Sequence, residues 1–201
     1  MNRVAYKCLY HIVHFAMRLW HPVFRVEGRE NIPADGNYLI CANHSGLADP
    51  LWLLFALKCT EKNPKIMAKD SVLRIPILGV ILKKIGVFGV KRGENDISAI
   101  KEGLATLKNG ENLMLFPEGT RVKPGKVVEA KSGALLLALR TATPVLPIYL
   151  QAQRRPFGPL RCVIGRPYLP QAENLRRPTP EELHSGSKEL MQKIYALGEP
   201  K

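Results

Sequence analysis

Apolar and polar positions divide this chain into short pieces of two kinds, one with a helical period and one without. Residues 1–21, MNRVAYKCLYHIVHFAMRLWH, have the helical period. At about 100° per residue, Arg3, Lys7, His11, His14, Arg18 and His21 fall within an arc of roughly 80°. Val4, Cys8, Leu9, Ile12, Phe15, Ala16, Leu19 and Trp20 spread over the remaining faces. A narrow basic stripe against a broad apolar surface predicts a helix lying in a membrane interface, or a terminal helix packed on its own domain with a solvated basic edge. The breadth of the apolar side favours the membrane.

Beyond this helix the pattern alternates. VFRVEG (23–28) and YLICAN (38–43) read as strands, the second apolar enough to be buried on both faces. Residues 50–58 form an apolar helix, KIMAK (65–69) a short strand, and 72–85 an apolar helix-like run interrupted by Pro76 and Gly79. Strand VFGVK (87–91), helix 96–108, strand NLMLF (112–116), helix 132–140 and strands VLPIYL (145–150) and RCVIGR (161–166) follow. The last helix, 179–197, opens with Thr179 as N-cap, Pro180 in its first turn and Glu182 completing a capping box. Strands alternating with helices predict an α/β fold: a single layered domain whose mixed, mostly parallel sheet is flanked by helices, with ligands near the carboxyl ends of strands. The expected division is an amphipathic helix over 1–22 and one domain over 23–201.

Composition narrows the partners. The 201 residues suffice for one sizeable domain. Thirty Lys and Arg against seventeen Asp and Glu leave a formal charge of +13, which favours an anionic partner: nucleic acid, a membrane surface or a phosphorylated substrate. Aromatics are 7%, without the interleaved stacking set of single-strand binders, which argues against nucleic acid. Cys8, Cys41, Cys59 and Cys162 lie far apart and read as free thiols in a reducing compartment. No segment reaches the roughly 18 apolar residues of a membrane span, and residues 1–25 do not read as a secretory signal. The expected place is therefore the cytosol, or a membrane surface without crossing it.

CANHSGLADP (41–50) holds the first candidate chemistry. His44 and Asp49 are five residues apart, so a helix would set them about 140° apart, whereas a strand-to-helix loop can bring them together. Asp before Pro at a helix start is also a capping signature, so Asp49 reads equally as the cap of its helix. The two roles are compatible. Histidine exchanges a proton near neutral pH, and a carboxylate on its Nδ1 fixes the tautomer that leaves Nε2 as base. LFPEGTR (115–121) runs an apolar strand into a turn that ends on Arg121, a residue able to clamp a phosphate. GVFGVKRG (86–93) ends another strand on a basic pair, and Lys69 ends a third. No His/Cys set of metal-ligand spacing accompanies them, so no metal is expected.

With these residues in view, the chain resembles the glycerolipid acyltransferases, and most closely the bacterial 1-acyl-glycerol-3-phosphate acyltransferases. The family's Asn-His-x4-Asp motif matches Asn43, His44 and Asp49. Its second motif matches Gly86, Phe88, Val90 and Arg92, its third Phe116, Pro117, Glu118, Gly119, Thr120 and Arg121, and its fourth PVLPI (144–148). All four occur in the family's order over roughly residues 25–165. Two places depart from it: Gly46 stands where the family usually has serine, with Ser45 one position early, and Val122 where serine often follows the arginine.

The resemblance implies a reaction: an acyl group passes from an acyl thioester, acyl-CoA or acyl carrier protein, to the sn-2 hydroxyl of lysophosphatidate. It implies His44 as general base oriented by Asp49, and Arg92 and Arg121 on the substrate phosphate, joined by Lys69. Glu118, with Gly119 and Thr120, would orient the substrate or the loop. No cofactor is implied beyond the co-substrate, and no enzyme nucleophile. Acylation of glycerol-3-phosphate or another lysophospholipid is the alternative. A thiol mechanism through Cys41 is a remote one, since Cys41 falls within a strand expected to be buried. The implied location is peripheral, on the cytoplasmic face of the cell membrane against anionic phospholipid. The 72–85 run would be either a core helix or a second membrane contact. The Arg-rich stretch 151–177, six arginines against Glu173 alone, would be a solvated loop or a dock for headgroups or an acidic carrier.

Overall fold

The computed structural model describes residues 3–58, 64–76, 78–84, 86–90, 97–123, 125–126, 128–155, 157–175 and 177–199. Its elements in chain order are α1 (Arg3–Trp20), β1 (Phe24–Glu27), β2 (Leu39–Ala42), α2 (Asp49–Ala56), β3 (Lys65–Lys69), α3 (Asp70–Leu73) and α4 (Leu78–Lys84). Then come β4 (Val87–Val90), α5 (Ile97–Lys108), β5 (Leu113–Leu115), α6 (Gly133–Thr141), β6 (Val145–Leu150), β7 (Leu160–Ile164) and α7 (Pro180–Ala196). The strands join in one seven-stranded sheet, ordered β1-β7-β6-β2-β5-β3-β4. Every pairing is parallel except β6 with β7. The mixed, mostly parallel sheet expected from the alternation is therefore present.

Two-residue periodicity sorts the core. Ile40 and Ala42 of β2 pack with Met17 of α1, Trp52 and Phe55 of α2 and Leu73 of α3. Leu39 and Cys41 point the other way, toward Ala99 and Leu107 of α5, Leu137 and Ala138 of α6, and Leu190 and Ile194 of α7. Helices thus cover both faces, and β2 is buried at all four positions. That burial explains why its sequence shows no polar alternation. The box of Thr179 and Glu182 forms as expected at the start of α7, each side chain bonding the other's backbone N–H.

The apolar run 72–85 does not make one helix. It divides into α3 and α4, and a Cβ at Gly79 would lie 2.1 Å from the carbonyl oxygen of Leu73. Only glycine lets the two short helices approach so closely.

Helix α1 packs with a face that the basic stripe and apolar surface of its sequence do not single out. Tyr10 and His14 lie against Phe55, with ring centroids 5.2 and 4.5 Å away, and Met17 enters the core. His21 is buried, with Nδ1 2.9 Å from the carbonyl oxygen of Gly158. The basic stripe is thereby split: His14 and His21 turn to the domain, while His11 and Arg18 stay exposed. The apolar residues Ile12, Phe15 and Leu19 are left 66%, 68% and 62% exposed.

Candidate active site

Strand β2 lies between β5 and β6, parallel to both, so the segments leaving the carboxyl ends of these three strands meet. That meeting place is a switch point of the sheet, with connections leaving in opposite directions on its two sides. Asn43, the first residue past β2, is buried. Its amide donates to the carbonyl of Leu150 at 2.8 Å, and its Oδ1 accepts the N–H of Leu150 at 2.8 Å. The side chain extends the β2–β6 ladder by one rung and fixes where the loop departs.

His44 and Asp49 are brought together by that loop. His44 Nδ1 stands 2.9 Å from Asp49 Oδ2, with the His44 side chain 14% exposed and Asp49 fully buried. The same Oδ2 accepts the backbone N–H groups of Ser45 at 2.7 Å and Gly46 at 2.8 Å. The carboxylate therefore binds backward onto the loop. It is the first residue of α2 and makes no cap to that helix's own N–H groups, so the capping role expected from Asp-Pro is not the one observed. Asp49 is steadied from below, since Trp52, Leu53, Leu54 and Phe55 are all buried. Burying each such side chain contributes about 1.5–3 kcal/mol, which anchors α2 firmly.

Burial alone would raise the Asp49 carboxyl. The His44 hydrogen bond, the Arg154 guanidinium and the two N–H groups outweigh it and hold the carboxyl below its ordinary range. An ionised carboxylate only accepts, so the proton between the two side chains belongs to His44 Nδ1. Arg154, from the segment after β6, meets Asp49 Oδ1 at 2.7 Å as an ion pair. It comes from within the Arg-rich stretch but was not distinguished there from its neighbours.

The turn after β5 grips His44 by ring and by backbone. Phe116 stacks on the imidazole, with centroids 4.1 Å apart and planes 19° from parallel. The His44 N–H donates to Glu118 Oε2 at 2.8 Å, and the His44 carbonyl accepts the Val122 N–H at 2.7 Å. Glu118 is buried, and its other oxygen accepts the Tyr195 hydroxyl of α7 at 2.5 Å. Burial pushes the Glu118 carboxyl up, partly offset by these two donors. Both oxygens are thus engaged by protein, one by the His44 backbone and one by Tyr195. Tyr195, 77 residues further along the chain, gave no sequence signal beyond its place on the last helix.

This link carries a prediction. Tyr195→Phe removes one donor from a buried carboxylate and should cost about 1–2 kcal/mol, toward the low end for a charged partner because Tyr195 is partly exposed. Urea denaturation at neutral pH measures it, and an unchanged midpoint would count against the link.

Gly119 has a φ of +63°, and a Cβ there would sit 2.9 Å from the Lys131 side chain, so the turn requires glycine. Thr120 is half-buried and Arg121 exposed, directly before the Val122 that bonds His44. Lys69 is exposed at the carboxyl end of β3, beyond β5 on the same edge of the sheet. Arg92 falls outside the described residues. Cys41 is buried, which pushes its thiol up and away from the nucleophilic thiolate form. Among the described residues no group of three or more His, Cys, Asp or Glu could hold a metal ion, and no helix is long and apolar enough to cross a membrane. A cavity of about 240 Å³ opens beside the loop, lined in part by Ser45, Gly46, Arg154, Trp20 and Trp52.

A family model described as Acyltransferase matches residues 23–151. The chain is 36% identical over 127 residues to a 1-acyl-sn-glycerol-3-phosphate acyltransferase of Borreliella burgdorferi, covering 62% of this chain and 50% of that one. It is 32% identical over 147 residues to a chloroplastic protein of that name from Arabidopsis thaliana, covering 68% and 40%. A Bacillus subtilis protein of the same name is 33% identical over 178 residues, covering 86% and 87%. The match thus spans about half the length of the first two and most of the third. Among solved structures, the 1-acyl-sn-glycerophosphate (LPA) acyltransferase PlsC from Thermotoga maritima superposes with a TM-score of 0.65 at 27% identity, covering 89% of this chain and 73% of that one.

Proposed function

The chain belongs to the acyltransferase family, and from that premise we propose that it acylates the sn-2 hydroxyl of lysophosphatidate with an acyl thioester, giving phosphatidate. The observation that carries this reading is the buried Asp49 carboxylate 2.9 Å from His44 Nδ1, which leaves Nε2 as a base. Nε2 takes the hydroxyl proton as the substrate oxygen attacks the thioester carbonyl. The C–S bond then breaks, and the thiolate leaves with the proton His44 had held. The substrate alcohol is the nucleophile, so no covalent enzyme intermediate is needed. Relatives named for the same acceptor support the substrate class.

Arg121 and Arg92, with Lys69, hold the acceptor's phosphate, and the Gly119-Thr120 turn shapes the approach to it. The donor is acyl-CoA or acyl carrier protein. The protein works on the cytoplasmic face of the cell membrane, where Ile12, Phe15 and Leu19 enter the lipid and the +13 charge favours anionic headgroups.

Purified protein given lysophosphatidate and an acyl thioester, on vesicles of anionic phospholipid, is expected to release free thiol and form phosphatidate. Silence with both donor classes across a panel of acceptors would defeat the proposal. Preference for glycerol-3-phosphate or another lysophospholipid would keep the reaction and change the acceptor. Arg121→Ala should raise KM for the phosphorylated acceptor about tenfold with little change in KM for the donor, because one charge-assisted contact contributes about 1.5–3 kcal/mol when buried and less at an exposed site. An unchanged acceptor KM would remove Arg121 from the phosphate site.

A further inference from the structure

The two oxygens of Asp49 have different company. Oδ2 serves His44 Nδ1 and the N–H groups of Ser45 and Gly46. Oδ1 is buried and takes no hydrogen bond of good geometry; its charge partner is Nη2 of Arg154, 2.7 Å away in an ion pair. The guanidinium is itself fastened elsewhere: Nε donates to the Gln151 carbonyl at 2.7 Å, and Nη2 reaches Ser45 Oγ at 3.1 Å. Arg154 is only 14% exposed, so its charge acts with little screening. Arg154 lines the cavity beside the loop, so the residue meets both that cavity and the buried carboxylate.

The loop is shaped to admit this side chain. A Cβ built on Gly46 would lie 3.1 Å from Arg154 Nη1 and 3.1 Å from Asp49 Oδ1. A residue larger than glycine there makes the guanidinium, the carboxylate or both give by a few tenths of an ångström. Gly46 and Arg154 are thus fitted to each other, which gives a physical reason for the one departure within the His44 motif.

We propose that Arg154 is a positioning residue for acyl transfer: by holding Asp49 Oδ1 and Ser45 Oγ it fixes the carboxylate in the orientation that puts Oδ2 on His44 Nδ1. This rests on His44 acting as the base. Without Arg154 the carboxylate is held through Oδ2 alone, and its buried Oδ1, left without a charged partner, can draw the group off the line to His44 Nδ1. Misplacement of a catalytic group by about 1 Å costs on the order of 10²-fold in rate. Lysine reaches Oδ1 from a single point and cannot also keep the bond to Gln151, so it replaces arginine only in part.

Arg154→Ala is expected to lower kcat about 10–100-fold while KM for acceptor and donor stay within about twofold. Arg154→Lys, and guanidinium ion added to Arg154→Ala, should each recover part of the loss. Gly46→Ala should cost less in the Arg154→Ala background than in the wild type, because the side chain it displaces is gone. A readout that needs no substrate accompanies these. In protein labelled with ¹⁵N-histidine, the downfield Hδ1 proton of His44 should be seen in the wild type and lost in Arg154→Ala, with Arg154→Lys intermediate. Should Arg154→Ala not fold, Arg154→Gln carries the same comparison. A wild-type kcat, or an unchanged His44 Hδ1 signal in a folded variant lacking the guanidinium, overturns the proposal. A wild type that transfers no acyl group would instead sink the proposed function, and the Hδ1 comparison would still decide the role of Arg154.

Discussion

His44→Ala is expected to lower kcat/KM for acyl transfer by about 10²–10⁴-fold, the usual contribution of a positioned acid–base group. The loss should come without unfolding. His44's backbone N–H and carbonyl, which bond Glu118 and Val122, survive the substitution. Asp49 keeps the Ser45 and Gly46 N–H groups and Arg154. What disappears is the imidazole and its stacking on Phe116, a contact of about 0.5–1.5 kcal/mol. A steady-state assay beside a thermal melt separates the two effects. Turnover near the wild-type rate in a folded His44→Ala protein would end the mechanism, whatever the substrate.

Asp49→Asn should hurt both activity and fold. An amide can present N–H to His44 Nδ1, which selects the tautomer whose Nε2 carries the proton and cannot accept one; loss of activity comparable with His44→Ala is expected. The substitution also leaves the Arg154 guanidinium buried without its counter-charge. Breaking a buried pair from one side costs about 3–5 kcal/mol, and Arg154's slight exposure places this one toward the lower end. The deficit should depend on pH in a definite direction. The Asp49 carboxyl is held below its ordinary value of 3.8 in the fold, so its stabilisation is complete above that value and is lost as pH falls through the lower folded one. Urea midpoints of wild type and variant should therefore lie far apart at pH 7 and draw together below about pH 4. A gap that stays constant down to acid unfolding would show that the ionised form of Asp49 contributes nothing to stability.

Contacts within a few residues were legible in the sequence, and contacts set by strand order were not. The His44–Asp49 loop follows from an apolar strand, a polar loop and an apolar helix in succession, and the box at Thr179 from three residues' spacing. The same local view misjudged Asp49, because Asp-Pro at a helix start says nothing of the Ser45 and Gly46 N–H groups that take the carboxylate instead. Arg154 was beyond reach for a different reason. Only the placement of β6 beside β2 brings residue 154 to residue 49, and no periodicity encodes which strand neighbours which. The Tyr195–Glu118 bond depends likewise on α7 packing over β6. For α1 the wheel found the apolar breadth but not its orientation: the side seated on Phe55 includes His14, and that leaves Ile12, Phe15 and Leu19 outward.

The two bonds between Asn43 and Leu150 have a consequence in time. They close a span of 107 residues. A chain emerging from the ribosome completes β2 and the His44 loop early, yet the rung that fixes the loop waits for Leu150. The rung can form only once β6 exists, so a chain cut before Leu150 carries the His44 motif without that anchor.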